Sequence, residues 1–233
     1  MVESVCYMLY LNEPEILSLN LILDYPVRWS KYKVLRDFIQ NFYDAVGHYR
    51  WYSDFSYEAI KQQLIFKAKN VDFSYDWLIP IGASTKRDND GKYARYFGEG
   101  FKIASLCAVR DFQWKVEMAS RDWELEVITS NLKIDNKKLV TLAYRVTKKT
   151  TVLKDAILRI YPFQQNDLPV LESTLLSFYY QENPLFGEKI WDSSEVAVFH
   201  RSKIPKPCYY PSAYDCSGEG IIFASYQAMG SFK

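Results

Sequence analysis

The sequence has few of the residues that build metal clusters or disulfide frameworks. Its 233 residues include four cysteines and two histidines, and no two cysteines form a Cys-x-x-Cys pair. Zinc sites usually place their ligands in close pairs, and disulfide-rich domains are short and dense in cysteine. Cys208, Cys216 and the nearby His200 could be read as a metal site, but scattered reduced thiols are the better interpretation of this spacing.

An excess of charge of one sign is also missing. The chain has 29 Lys and Arg against 28 Asp and Glu, a formal net charge of +1. Domains that bind nucleic acid through their overall charge are strongly basic, so nucleic acid is not indicated as a partner. The aromatic residues (19 Tyr, 14 Phe and 6 Trp) follow strand-like runs without interleaved basic residues. This pattern favours a core role over base stacking.

Long hydrophobic runs are absent as well. No stretch reaches the roughly 18 to 20 apolar residues that cross a bilayer. The start, MVESVCYMLYLNEPEI, has no basic segment followed by an apolar run and a small-residue cleavage site. We therefore expect a cytoplasmic protein with no membrane-spanning helix and no secretory signal.

The first part of the chain predicts a strand followed by a helix. Residues 16–23 (ILSLNLIL) place leucines at every second position, as a strand with one buried face requires. Pro26 ends this strand. Ser30 can then cap a helix that spans Lys31 to Val46, and Gly47 is suited to end it.

The next segment predicts a second helix and a loop. The helix is expected from Tyr57 to Lys67, and a short apolar segment follows from Trp77 to Ile81. Residues 82–100 (GASTKRDNDGKYARYFGEG) are polar and rich in turn formers, which predicts a mobile loop. Residues 101–109 then predict a helix whose N-terminus adjoins this loop.

The second half of the chain is mostly strand-like. The runs WKVEMAS, WELEVITS, LVTLAYRVT and AILRIYPF are separated by charged or turn-forming residues, which predicts an antiparallel meander. A helix is expected over 167–182, ended by Pro184. The last segment, residues 218–233, reads as a strand without a terminating element. We therefore expect the chain to be the N-terminal part of a longer protein.

One side of the first helix carries a polar stripe. Asp37, Asn41 and Asp44 stand at i, i+4 and i+7, within roughly 60° of one another around the helix. Apolar side chains cover the adjacent arc, so the stripe lies at the edge of the buried face, as a cleft requires. Ordinary solvated polar positions are the alternative. The apolar arc consists of Val34, Leu35, Phe38, Ile39, Phe42 and Val46.

A glycine turn leads into the helix at residue 101. The segment Phe97-Gly98-Glu99-Gly100-Phe101-Lys102 places two glycines just before a helix N-terminus. Backbone amides and the helix dipole at such a point favour phosphate oxygens, and glycines allow a close approach. Lys86 and Lys102 can supply the counter-charge, so the turn is a candidate phosphate-binding lid.

The stripe and the lid together resemble a known superfamily. Asp37-x-x-x-Asn41-x-x-Asp44-Ala45 resembles the Glu-x-x-x-Asn-x-x-Asp-Ala box of the GHKL ATPases, which include gyrase, the ninety-kilodalton heat-shock chaperone, histidine kinases, mismatch-repair ATPases and microrchidia proteins. Residues 81–86 resemble the segment that leads into their ATP lid, and residues 96–102 are similar to its closing motif. A weaker similarity to a late Gly-Thr strand lies at 150–153. The resemblance covers about residues 15–155, with the motifs in the family's order.

The resemblance implies an α+β fold, namely a two-layer α/β sandwich of the Bergerat type. Its sheet would be mixed but mostly antiparallel, with helices on one face, and residues 1–233 would form a single nucleotide-binding domain. The resemblance assigns Asp37 as the catalytic base that activates water and Asn41 as the Mg²⁺ ligand. The residues that would bind the nucleotide are Asn41, Asp44, Ala45, Ser84, Lys86, Gly98, Glu99, Gly100, Phe101 and Lys102.

The implied ligands are ATP and Mg²⁺. The implied partners are C-terminal domains of the same longer chain, and the resemblance also permits a homodimer that forms on nucleotide binding. A histidine kinase is not indicated, because neither His48 nor His200 lies on an evident dimerisation helix.

Three departures separate the chain from the family pattern. The Asp-x-Gly-x-Gly box that anchors adenine should precede Phe73, but residues 68–72 read AKNVD. Arg95 takes the place of the first lid glycine, and Asp37 is one methylene shorter than the usual glutamate. Three functions therefore stay open: an ATPase module that drives conformational change, a nucleotide binder with little turnover, and an interaction domain without a ligand.

Overall fold

The computed structural model describes residues 13–79, 99–184, 186–193, 197–201, 220–224 and 226–232. The helices in these ranges are α1 (Lys31–Val46), α2 (Trp51–Asp54), α3 (Gly100–Asp111) and α4 (Leu168–Leu176), with 3-10 turns at Tyr75–Leu78 and Gln165–Asp167. The strands are β1 (Glu15–Ile22), β2 (Phe55–Ile60), β3 (Gln63–Ala68), β4 (Lys115–Ile134), β5 (Lys137–Tyr161), β6 (Phe186–Asp192), β7 (Ala197–Arg201), β8 (Gly220–Ala224) and β9 (Gln227–Phe232).

Strand β5 is the centre of a five-stranded sheet. Strand β4 pairs with it along one edge, while β1 pairs with the first half of its other edge and β3 with the second half. Strand β2 completes the sheet beside β3. Every pairing among the described strands is antiparallel, so the predicted α+β class with a mostly antiparallel sheet is confirmed, without the parallel pairs that a mixed sheet would contain.

One face of the sheet is buried under the helices, and the other faces solvent. The ring of Phe101 on α3 lies 6.3 Å from that of Tyr144 on β5, and both belong to the main hydrophobic core. On the opposite face Arg145 pairs with Glu126 across the strands at 2.6 Å. This division gives two layers, as predicted.

An irregularity in the pairing of β4 with β5 keeps the apolar side chains of β4 on the buried face of the sheet. The large buried side chains of β4 occupy even positions before Arg121 and odd positions after it, whereas the large buried side chains of β5 stay even throughout. Arg121 sits at the irregularity with a φ of 52°, in the left-handed region. From the pair Ala119–Ile157 to the pair Trp123–Lys148, β4 advances four residues and β5 nine, so the extra residues lie in β5. The change of parity in β4 returns its apolar side chains to the core face. They are Val116, Met118, Trp123, Leu125 and Val127.

The first helix has the bounds that its local chemistry predicts. The Ser30 hydroxyl accepts a hydrogen bond from the Lys33 backbone N–H at 3.3 Å, which caps one of the free amides of the first turn. Gly47 ends the helix with a φ of 80°, and its N–H donates to the Tyr43 carbonyl at 2.8 Å.

We expect Ser30→Ala to lower the free energy of unfolding by about 1 kcal/mol, because the substitution removes this cap. Urea denaturation followed by circular dichroism measures the change. Ser56→Ala on the exposed face of β2 is the matched control and should have little effect. An equal loss in both variants would mean that the cap does not stabilise α1.

The helix predicted from Tyr57 to Lys67 is wrong. This segment is the hairpin of β2 and β3, closed by Lys61 and Gln62, whose φ values are 50° and 63°. Two consecutive left-handed residues define the tight turn that matches the strand twist. The physical reason for the hairpin is the alternation in β3, where Leu64, Phe66 and Ala68 are completely buried.

Other predictions differ in extent. The four strand-like runs from residue 114 onward form two long strands, β4 and β5. The polar break after residue 120 is a bulge in the β4–β5 pairing, and β5 continues through the polar break after residue 147 without a turn. The helix predicted over 167–182 ends at Leu176, and the last segment is a hairpin instead of one strand. No helix in the described ranges has the length and apolar character needed to span a bilayer.

Candidate functional site

Other elements cover polar positions of helix α1 as well as its apolar side. Besides its core residues, Arg36, Asp37 and Gln40 are buried, with exposed fractions of 7%, 4% and 4%. Helix α3 packs along one flank of α1, while α4 and the start of β9 cover another. Of the predicted polar stripe, Asp37 is buried, whereas Asn41 and Asp44 are half-buried.

Asp37 meets the glycine turn. A Cβ atom placed on Gly100 would lie 2.7 Å from Asp37 Oδ1, closer than real side chains tolerate. Gly100 is the first residue of α3, and the Glu99 carbonyl accepts the first helical hydrogen bond from the Ile103 N–H at 3.1 Å. The structure thus brings the carboxylate of α1 to the N-terminal turn of α3, where the helix dipole favours a negative charge.

Small residues let the two helices approach. Gly100, Ala104 and Ala108 stand at i, i+4 and i+8 and therefore form one line along α3. Both alanines are fully buried. Beside this line the rings of Phe101 and Phe38 meet edge to face at 5.3 Å. The glycine that was predicted to admit phosphate oxygens is in direct contact with the Asp37 carboxylate.

Asn41 is oriented by the backbone one turn before it. Its Nδ2 donates to the Asp37 carbonyl oxygen at 2.8 Å, and the side chain is half-buried. This hydrogen bond uses an amide N–H and leaves the Oδ1 oxygen for a ligand. Asn41 and Asp37 are therefore held as neighbours on one edge of α1.

Asp44 and Ala45 complete the box and are both half-buried. The pKa of Tyr43 is raised, first by burial and then by the negative charge of Asp44. Ala45 packs against the hydrophobic core, so it contributes an apolar contact and no polar group to the site.

Lys102, which was predicted to supply counter-charge to phosphate, lies in the first turn of α3. Its side chain is only 2% exposed, and burial lowers its pKa, while the charge of the exposed Glu99 acts in the opposite direction. The predicted residues Ser84, Lys86 and Gly98 lie outside the described residues, as do Cys208 and Cys216.

In the segment that takes the place of the adenine box, Lys69, Asn70 and Asp72 are exposed, whereas Ala68 and Val71 are buried. Asp72 is exposed and pairs with Arg121 at 3.7 Å, while Asp76 accepts a hydrogen bond from Ser74 at 2.8 Å. Lys67 forms an ion pair with Asp155 at 2.9 Å on the solvent face of the sheet. These contacts give each aspartate a partner within the chain.

Sequence reasoning missed the buried polar residues Arg36 and Gln40. Arg36 donates to the side-chain oxygen of Gln227, a residue 191 positions away. On the helical wheel both residues lie outside the apolar arc and outside the polar stripe. This position was the signal in the sequence that α1 has a third side. Only the fold shows that this third side of α1 is covered.

No protein-family model matches the chain, and no curated protein matches it either. Within the described residues, no group of three or more His, Cys, Asp or Glu side chains is arranged to hold a metal ion. The candidate site is defined by the contacts of Asp37, Asn41 and Gly100.

Proposed function

We propose that this protein binds ATP with Mg²⁺ at the edge of α1 that meets the N-terminus of α3, and that it hydrolyses ATP slowly to drive conformational change in a larger cytoplasmic protein. The observation that carries the proposal is the contact between Asp37 and Gly100. Two motifs that resemble those of GHKL ATPases, distant in sequence, are adjacent in the fold.

The residues present fit the implied ligands. Gly100 has no side chain, so phosphate oxygens can reach the amides at the start of α3 after the Asp37 carboxylate, which lies against Gly100, has moved aside. The amide oxygen of Asn41 is a hard ligand of the kind that Mg²⁺ selects, and Mg²⁺ commonly completes its shell with phosphate oxygens and water. When bound, Mg²⁺ would offset phosphate charge.

The chain's own groups then have separate roles. Asn41 positions the nucleotide, because its other amide atom is fixed to the Asp37 carbonyl. Asp37 orients a water molecule and accepts its proton at a carboxylate oxygen. The N-terminal amides of α3 donate to developing negative charge. Such catalysis depends on positioning and on charge stabilisation more than on covalent chemistry.

We expect Asn41→Ala to lower the affinity for a Mg²⁺-bound, non-hydrolysable ATP analogue at least tenfold, since the variant loses the oxygen ligand. Isothermal titration calorimetry measures the affinity, and an arm with EDTA removes the metal. Asn131→Ala, an exposed position on β4, is the control. Equal affinity of the Asn41 variant and the parent with Mg²⁺ present would exclude the assigned role.

A second candidate is a nucleotide-binding or interaction domain with little or no turnover. It is favoured by the surface position of Asp72, which already pairs with Arg121 and does not mark an adenine pocket. Binding without measurable phosphate release would support it. A homodimer that forms on nucleotide binding is compatible with either candidate.

A further inference from the structure

The hairpin of β4 and β5 extends past the other strands of the sheet. Strand β1 ends at Ile22, which stands opposite Thr141 of β5. Residues 132–139 lie beyond this point, and we call them the hairpin tip. Within the described sheet the two strands of the tip pair only with each other, down to the turn at residues 135–136. The tip is therefore a two-stranded ribbon with both faces open.

The two faces of the tip differ in chemistry. Residues directly opposite each other share a face, and successive residues along a strand alternate between faces. The core side chains of β4 occupy odd positions beyond the bulge, so Leu132 and Ile134 lie on the solvent face, together with Leu139 opposite Leu132. Lys133 and Lys138 lie on the other face, and both are exposed. The ribbon is therefore amphipathic.

The apolar face of the tip continues onto the body of the sheet. Ile22 stands opposite Thr141, which pairs in turn with Ser130 of β4, so Ile22 shares the face of Leu132 and Ile134. The exposed fractions of Ile22 and Ile134 are 40% and 50%. The solvent face of an antiparallel sheet normally carries polar side chains. Apolar side chains grouped on such a face are typical of contact with another molecule.

The basic face of the tip is not neutralised by the chain. Lys133 and Lys138 stand directly opposite each other, and like charges in this arrangement destabilise a strand pair. Lys137, the residue before Lys138, is also exposed. In the described part of the chain no ion pair includes these three lysines, whereas Lys148 farther along β5 pairs with Asp122 at 3.5 Å. A negatively charged partner would relieve the repulsion.

An apolar face and a basic face on one ribbon match the two chemistries of an anionic membrane surface. The tip contains three lysines and a single aspartate. We propose that the hairpin tip binds the surface of membranes that contain anionic lipids. Amphipathic segments of this kind lie in the plane of the interface, with apolar side chains at the boundary of the acyl chains and lysines among the headgroups. Such binding requires no segment that spans the bilayer.

Two other partners match only part of this chemistry. Nucleic acid offers phosphates to the lysines, but its charged backbone leaves Leu132 and Ile134 without an apolar contact. A second copy of the chain would cover the apolar face. A two-fold interface, however, joins the same surface of both subunits and would bring three further lysines to the contact. Anionic lipid supplies negative charge and an apolar environment together.

Flotation of the chain with lipid vesicles, without nucleotide or Mg²⁺, tests the proposal. We expect binding to phosphatidylcholine vesicles with about one-third phosphatidylserine to be at least tenfold tighter than to phosphatidylcholine alone, and to weaken as salt is added. The triple variant Lys133→Gln, Lys137→Gln, Lys138→Gln should lose this preference. A control with the same charge change at three exposed lysines elsewhere should keep it. Those lysines are Lys61, Lys115 and Lys154.

Ile134→Thr is a second variant that tests the apolar contact. Threonine keeps the β-branched shape that suits a strand, and half of the Ile134 side chain is exposed, so the fold should be retained. We expect this variant to bind anionic vesicles several-fold more weakly than the parent. Val152→Thr, at a position of β5 that is 66% exposed, is the control and should bind as the parent does.

Three kinds of result would overturn the proposal. The first is equal binding of the parent to both kinds of vesicle, or parent-like binding by the triple lysine variant or by Ile134→Thr. The second is binding to duplex DNA that depends on the lysines but not on Ile134. The third is a dimer, measured by sedimentation velocity, that Ile134→Thr dissociates. Since no nucleotide is present, failure of the proposed nucleotide site would leave these results unchanged.

Discussion

Replacing Gly100 by valine is expected to abolish nucleotide binding and to destabilise the fold. The added Cβ would lie 2.7 Å from Asp37 Oδ1, and the carboxylate is buried, so the helices must separate or the side chain must move. Overpacking of this kind costs about 1–3 kcal/mol. Chemical denaturation and calorimetric titration with a Mg²⁺-bound ATP analogue measure the two losses.

The alanine variant separates the steric effect from helix propensity. Alanine is a better helix former than glycine by about 1 kcal/mol, and Gly100 already has helical geometry. Gly100→Ala should nevertheless destabilise the parent, and it should stabilise an Asp37→Ala background where the contact is gone. A stabilising effect in both backgrounds would show that Asp37 and Gly100 do not touch.

Asp37→Asn is expected to keep nucleotide affinity within a few-fold of the parent and to reduce turnover about 10²- to 10⁴-fold, the usual contribution of a general base. The amide has the same shape as the carboxylate but cannot accept the proton of water. Phosphate release measured at saturating Mg²⁺ and ATP reports turnover, and calorimetry reports affinity.

Asp76→Asn is the matched control, because Asp76 is exposed and already bonded to Ser74. It should leave both values unchanged. Parent-level turnover in Asp37→Asn would remove Asp37 from the mechanism. Equal losses of binding and turnover would assign it to nucleotide binding in place of proton transfer.

The sequence predicted α1 to the residue because the signals at its ends are local. Ser30 caps its own helix, and Gly47 has the left-handed φ that ends it. The β2–β3 hairpin was misread because its turn, Lys61-Gln62, contains none of the usual turn residues. The bulge at Arg121 was misread as a turn because a charged break between two strand-like runs is compatible with either.

The site was predictable only where helical periodicity applies. The stripe of Asp37, Asn41 and Asp44 follows from residue spacing, while its position against α3 depended on the resemblance to a family. The burial of Lys102 was not predictable, because α3 is enclosed on nearly all sides by layers distant in sequence. The contact of Arg36 with Gln227 joins opposite ends of the chain, and no local pattern encodes it.

Calorimetric titration of the purified parent chain with Mg²⁺ and non-hydrolysable analogues of ATP and GTP tests the central claim most directly. We predict saturable binding of one nucleotide per chain that requires Mg²⁺. The comparison of the two bases shows whether the chain selects adenine without the usual aspartate. Absence of heat with either analogue, at concentrations well above those in cells, would contradict the assignment of the Asp37 edge as a nucleotide site.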